Sequence, residues 1–152
     1  MLDVFRRATV TAALGLWLGG LTFYGAVVIR VATRVLGSHT RVGFITQGVV
    51  GPLNLLGWLA LGIALLDLLR SRSWLRWTAW GAAAAAHGAL YAVKPRMDAL
   101  LDPRAMDITD HERFYRLHQV YLALTTVEWA AGLVLLVLAL AAWRRQDLER
   151  RS

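Results

Sequence analysis

The chain has 152 residues, room for one domain; 57% of them are hydrophobic, the mean hydropathy is +0.47 and the formal charge is +7 at pH 7. It has no cysteine, which excludes disulfides, thiolate metal sites and thiol nucleophiles. The basic residues form no single face but sit in short groups between apolar runs, as flanks that anchor helices at lipid headgroups do, so nucleic acid is excluded as a partner.

The first apolar run, Ala8 to Ile29, is uncharged throughout and longer than a secretory signal core of about 7–15 residues, so it reads as a retained membrane helix over 8–34. Gly15, Gly19, Gly20 and Gly25 would let a neighbouring helix approach. Arg30 and Arg34, one turn apart at its far end, either snorkel to the interface or, for Arg30, turn inward as a counter-ion. A second span covers 44–69, with Pro52 either kinking it or starting its regular part. Gln47, Gly51, Asn54 and Trp58 share one of its faces, and Asn54 is placed for an interhelical hydrogen bond.

A basic turn through Arg70, Arg72 and Arg76, bordered by Trp74 and Trp77, has the composition of an interfacial belt. The third span, 74–93, carries the small-residue run Ala82–Ala86 and then His87, Tyr91 and Lys94 on one face. Residues 94–117 read as a partly ordered amphipathic surface loop, with Pro95 and Pro103 as helix breakers; Asp107, Asp110 and Glu112 supply a helix start leading into the fourth span. That span, 118–143, contains the run Gln119–Trp143, which at about 1.5 Å per residue crosses a hydrocarbon core of about 30 Å. Glu128 interrupts it; a charge there costs roughly 2.5–3.5 kcal/mol, so it should face protein or water. Thr125, Tyr121 and His118 extend a polar stripe from it.

The expected fold is therefore all-α, an integral membrane four-helix bundle forming a single domain over 1–152. Both termini and the Arg70–Arg76 turn lie on the cytoplasmic side by the positive-inside rule. The Arg- and Ala-rich composition points to a bacterial inner membrane. Polar residues of all four helices gather in the half away from the termini, which predicts a polar pocket near the non-cytoplasmic face. Its candidate ligand-binding residues are Asn54, Tyr91, Arg96, Tyr121, Thr125 and Glu128. His87, His118 and Glu128 are candidate metal ligands for copper or zinc. Binding or transport of a metal ion or small polar ligand is one reading. The alternatives are a non-catalytic structural or assembly subunit, as a homo-oligomer or in a membrane complex, and a haem b protein using His87 and His118. The haem reading needs both imidazoles at compatible depth, and His118 lies shallower. No phosphate loop or Ser nucleophile motif argues for an enzyme.

Trp17-x-Gly19 with Phe23, Pro52, Lys94-Pro95-Arg96-Met97 and Phe114-Tyr115-Arg116-Leu117-His118 together resemble the transmembrane protein 205 family, also catalogued as domain of unknown function 4149. The resemblance spans most of the chain. It implies four membrane spans, both ends on one side and no established enzymatic activity. The family is linked to tolerance of platinum drugs, and its distant bacterial relatives resemble copper-resistance D-type membrane proteins; both associations imply metal handling. The chain departs from the family at Thr125, where an Asn is usual, and Glu128 lies outside the pattern. The first helix lacks the early His expected of haem-binding relatives.

Overall fold

The computed structural model describes residues 1–151, with the side chains of His39 and Ile45 outside the description. The chain is all-α. Its long helices are Leu2–Leu36, His39–Leu68, Trp74–Asp98 and His111–Glu149, the first interrupted by a π-helical turn at Tyr24–Val28. Each boundary has a local cause. Gly37, at φ 60°, ends the first helix in the left-handed conformation that glycine adopts without a Cβ penalty. Ser38 caps the second helix by accepting from the Arg41 amide. Asp110 caps the fourth by accepting from the Arg113 amide at 3.0 Å, and Glu112 complements the helix dipole in the first turn.

Two boundaries differ from the sequence expectation. Pro95 does not stop the third helix, which continues to Asp98. A proline this close to the C-terminus removes only one late hydrogen bond, and the Pro95 carbonyl still accepts from the Ala99 amide. The segment expected as a loop is also shorter. Residues Leu101–Asp102 and Asp107–Ile108 form a small antiparallel hairpin, and the fourth helix starts at His111. Pro52 sits within the second helix without ending it.

Among the described residues, three helical segments are long and apolar enough to cross a membrane: Leu2–Leu36, Thr46–Leu68 and His111–Glu149. The third helix, expected as a span, is not among them, because Trp, Gly and His87 dilute its alanines. Large apolar side chains nevertheless cover much of the outer surface, among them Leu16, Phe23, Leu55, Leu66, Val134 and Val137. So much exposed apolar surface is what lipid accepts and water does not.

The first helix packs on the second, the second on the third, the third most extensively on the fourth, and the fourth returns to the first. Leu14, Trp17, Leu61, Ala64, Ala83, Leu135 and Ala139 fill the centre. Close approach falls at particular glycines. A Cβ on Gly132 would lie 2.8 Å from Leu18 and one on Gly20 2.9 Å from Leu53, whereas Gly15, Gly19 and Gly25 face open space. Indole hydrogen bonds tie neighbouring helices: Trp80 Nε1 donates to the Leu61 carbonyl and Trp129 Nε1 to Thr22 Oγ1, each at 2.9 Å.

At the end holding the termini, the Asp67 side chain is 1% exposed and receives Arg6 at 2.7 Å and the buried Arg76 from the other side. Arg7 binds Asp147 at 2.7 Å and lies over the Trp143 ring. Asp67 thus joins the first, second and third helices, and Arg7 joins the first to the fourth. Removing one partner of a buried charge set leaves the others uncompensated, at a cost of about 3–5 kcal/mol. Asp67→Ala should therefore lower the thermal unfolding midpoint of the detergent-purified protein strongly. An unchanged midpoint would show that Arg6 and Arg76 find water or lipid phosphate at no cost.

Candidate functional site

The buried polar centre is built on His87. The alanines around it (Ala83, Ala86) bring the third helix close to its neighbours, and Gly57 on the second helix leaves room for the ring. A Cβ on Gly57 would lie 2.5 Å from His87 Cε1 and 2.7 Å from Trp17 Nε1. Trp58 packs edge-on to the imidazole at 4.9 Å between centroids, with Trp17 and Tyr91 each at 5.8 Å. The imidazole is fully buried and so is Glu128, at 0% and 1% side-chain exposure.

Hydrogen bonding fixes the protons here. His87 Nε2 lies 3.0 Å from the Asn54 carbonyl oxygen, which can only accept, so Nε2 carries a proton. His87 Nδ1 lies 2.7 Å from Glu128 Oε2. Two lone pairs cannot face each other at that distance, so one proton lies between them. Whether it sits on nitrogen or oxygen, the pair is neutral overall. A net buried charge is thereby avoided without leaving a polar atom of the imidazole unsatisfied.

Above this centre, away from the termini, lies a cavity of about 430 Å³. The π-helical turn contributes Tyr24, the second helix Thr46 and Gln47, the third Lys94 and Asp98, the fourth His118 and Tyr121, and the hairpin closes one side with Leu101 and Ile108. Its polar groups are held in place. Gln47 Nε2 donates to Asp98 at 3.0 Å, and Lys94 pairs with Asp98 at 2.6 Å. Tyr24 lies beside Thr46, whose hydroxyl donates to the Val42 carbonyl at 2.9 Å, and His118 stacks on Phe114. Tyr121 lies beside the Asn54 side chain, so a residue of the cavity wall adjoins the residue that anchors His87. Apolar walls with a few fixed polar groups, at this volume, match the general form of a small-molecule site.

The candidate residues thus separate into two layers. Asn54, His87 and Glu128 meet in the buried centre, with Tyr91 at its half-open edge. His118 and Tyr121 line the cavity. Thr125 bonds back to the Tyr121 carbonyl of its own helix, Arg96 is exposed, and so is Arg30, which does not turn inward. Among the described residues, His87, His118 and Glu128 do not assemble into a three-ligand metal group. With both nitrogens engaged, His87 also offers no lone pair to a metal or to haem iron. Sequence reading missed Gly57, Tyr24 and Asp98 outright. Gln47 and Lys94 carried a signal in their places on the Asn54 and His87 faces, and Trp17 entered only through the family resemblance. Comparison of the chain with family models, curated proteins and solved structures finds no match.

If the shared proton is as described, an amide can replace the carboxyl: its NH₂ would donate to Nδ1 while Nε2–H keeps the Asn54 carbonyl. Glu128→Gln should stay within about 1 kcal/mol of the parent, whereas Glu128→Ala, leaving a buried gap and an unpaired nitrogen, should cost about 2–4 kcal/mol. Thermal unfolding of both variants in detergent tests this; equal damage from the two would refute the proton assignment.

Proposed function

We propose that this chain is an integral membrane four-helix bundle, both ends cytoplasmic, that binds a small amphipathic molecule in the cavity beneath the non-cytoplasmic face. The observation that carries the reading is the 430 Å³ cavity, roofed by the hairpin and lined by Tyr24, Gln47, Lys94, His118 and Tyr121. Three apolar segments of spanning length and the apolar outer surface support the membrane assignment. The third helix, enclosed by contacts with its two neighbours, spans as the fourth member although its own hydropathy is lower. The transmembrane protein 205 resemblance supports the same topology. It also supports metal handling, but the engaged nitrogens of His87 and the lack of a three-ligand group among the described residues favour an organic ligand over copper, zinc or haem.

A second reading, a non-catalytic packing subunit, is favoured by one observation: the His87–Glu128–Asn54 set is internally complete and joins three helices. The two readings separate at the cavity. Gly43 lines it, and a Cβ there would meet nothing within 4 Å, so Gly43→Phe fills the space without disturbing the centre below. Organic extracts of the purified protein, analysed by mass spectrometry, should contain a small molecule that Gly43→Phe loses while remaining folded. Indistinguishable extracts would favour the packing subunit. Stoichiometric copper or zinc by elemental analysis would restore the metal reading.

Topology is tested separately. The chain has no cysteine, so single cysteines at exposed Arg72 and Arg104 report without background. In sealed inside-out vesicles a membrane-impermeant maleimide should label Arg72→Cys directly and Arg104→Cys only after detergent. Equal labelling of both in intact vesicles would defeat the four-span arrangement.

A further inference from the structure

The end of the molecule opposite the cavity holds a second cleft, of about 440 Å³, between the first and fourth helices. Its lining is Arg7, Arg144, Arg151 and Asp147 with the apolar Leu140, Trp143 and Leu148. Three arginines face one aspartate, so two positive charges are uncompensated. Their distribution is specific. Arg7 is already committed: it holds both Asp147 oxygens, at 2.9 and 2.7 Å, and lies over the Trp143 ring at 5.7 Å. That pairing fixes the floor of the cleft. Among the described residues, Arg144 and Arg151 make no ion pair; Arg144 lies in the last turns of the fourth helix and Arg151 in the turn that follows it, and both line the cleft.

Where the cleft lies identifies what these charges meet. Arg144 follows Trp143 directly at the end of the apolar run, the depth of lipid headgroups on the membrane reading above. Below it, Leu140, Val137 and Val134 are exposed one turn apart, forming an apolar track that runs from the cleft along the fourth helix. A free phosphate would use only the arginines. A phospholipid would use both parts, its phosphate between Arg144 and Arg151 and its acyl chains on the track. Guanidinium groups suit this role because they donate in pairs to phosphate oxygens.

We propose that this cleft is a binding site for an anionic phospholipid. The proposal rests on the membrane assignment but is independent of the ligand in the cavity, and maleimide labelling tests the former separately. The experiment is native mass spectrometry of the delipidated full-length protein in detergent, titrated in parallel with phosphatidylglycerol, phosphatidylcholine and inorganic phosphate. Phosphatidylglycerol should bind in preference to phosphatidylcholine, and millimolar phosphate should not displace it. Each arginine near a headgroup contributes roughly fivefold in affinity, so R144Q/R151Q should weaken phosphatidylglycerol binding by more than about tenfold. R70Q/R72Q removes the same charge from exposed positions on the same side, outside the cleft, and should leave binding nearly unchanged. Equal losses in the two double variants would reduce the effect to general surface charge and overturn the site. Equal binding of phosphatidylcholine, or displacement by inorganic phosphate, would overturn the phospholipid assignment.

Discussion

The contact on which the centre of this fold depends is the proton held between His87 and Glu128. Glu128 alone would be an ionisable group buried in the apolar middle of the longest helix. His87 alone would be a ring with an unmet nitrogen. Together, with Nε2–H given to the Asn54 carbonyl, they are neutral and satisfied. Three helices must then keep one register, because sliding any of them by a turn would uncover all the groups at once. The surrounding features follow from this requirement. Gly57 admits the ring, the alanines of the third helix allow its approach, and Trp17 and Trp58 wall it off.

The same arrangement ties the buried centre to the cavity above. Asn54 gives its backbone carbonyl to His87 while its side chain lies beside Tyr121 of the cavity wall, so a single residue borders both layers. The π-helical turn at Tyr24–Val28 shifts the register of the first helix where it borders the cavity, and Tyr24 lines it. Single π turns recur at functional sites in helical proteins because the extra residue re-aims a side chain. The π turn and the cavity coincide here, which supports the proposal of a ligand site.

Much of this was legible in the residues. The apolar runs marked the helices, and the polar residues segregating to one half of each run foretold a shared layer. Asn54, His87 and Glu128 were singled out because each was costly where it stood, and cost is visible in sequence. What stayed hidden depended on partners distant along the chain. Asp67 lies near the end of the second span and Arg76 in the basic turn read as an interfacial belt; nothing local reveals that they meet each other and Arg6. Gly57 is one glycine among thirteen, and only the approach of two rings distinguishes it. His118 shared a stripe with Glu128 by spacing, yet the layers separate along the helix axis, which periodicity does not measure. The fourth helix's start was readable from Asp110 and Glu112, because capping is a local transaction between neighbours.

The ion pairs are unevenly distributed along the helix axes. At the end with the termini, Arg6, Asp67 and Arg76 fasten three helices together and Arg7 with Asp147 fastens the fourth to the first. At the other end, the second and third helices are joined across the cavity by the Gln47–Asp98 hydrogen bond, and the roof is a hairpin of two-residue strands. The molecule is thus built like a pair of tweezers, with its joint among the arginines and its tips at the hairpin. Separation of the helices costs least at the tips, so the cavity can widen past Gln47 and Asp98 and not from the pinned end.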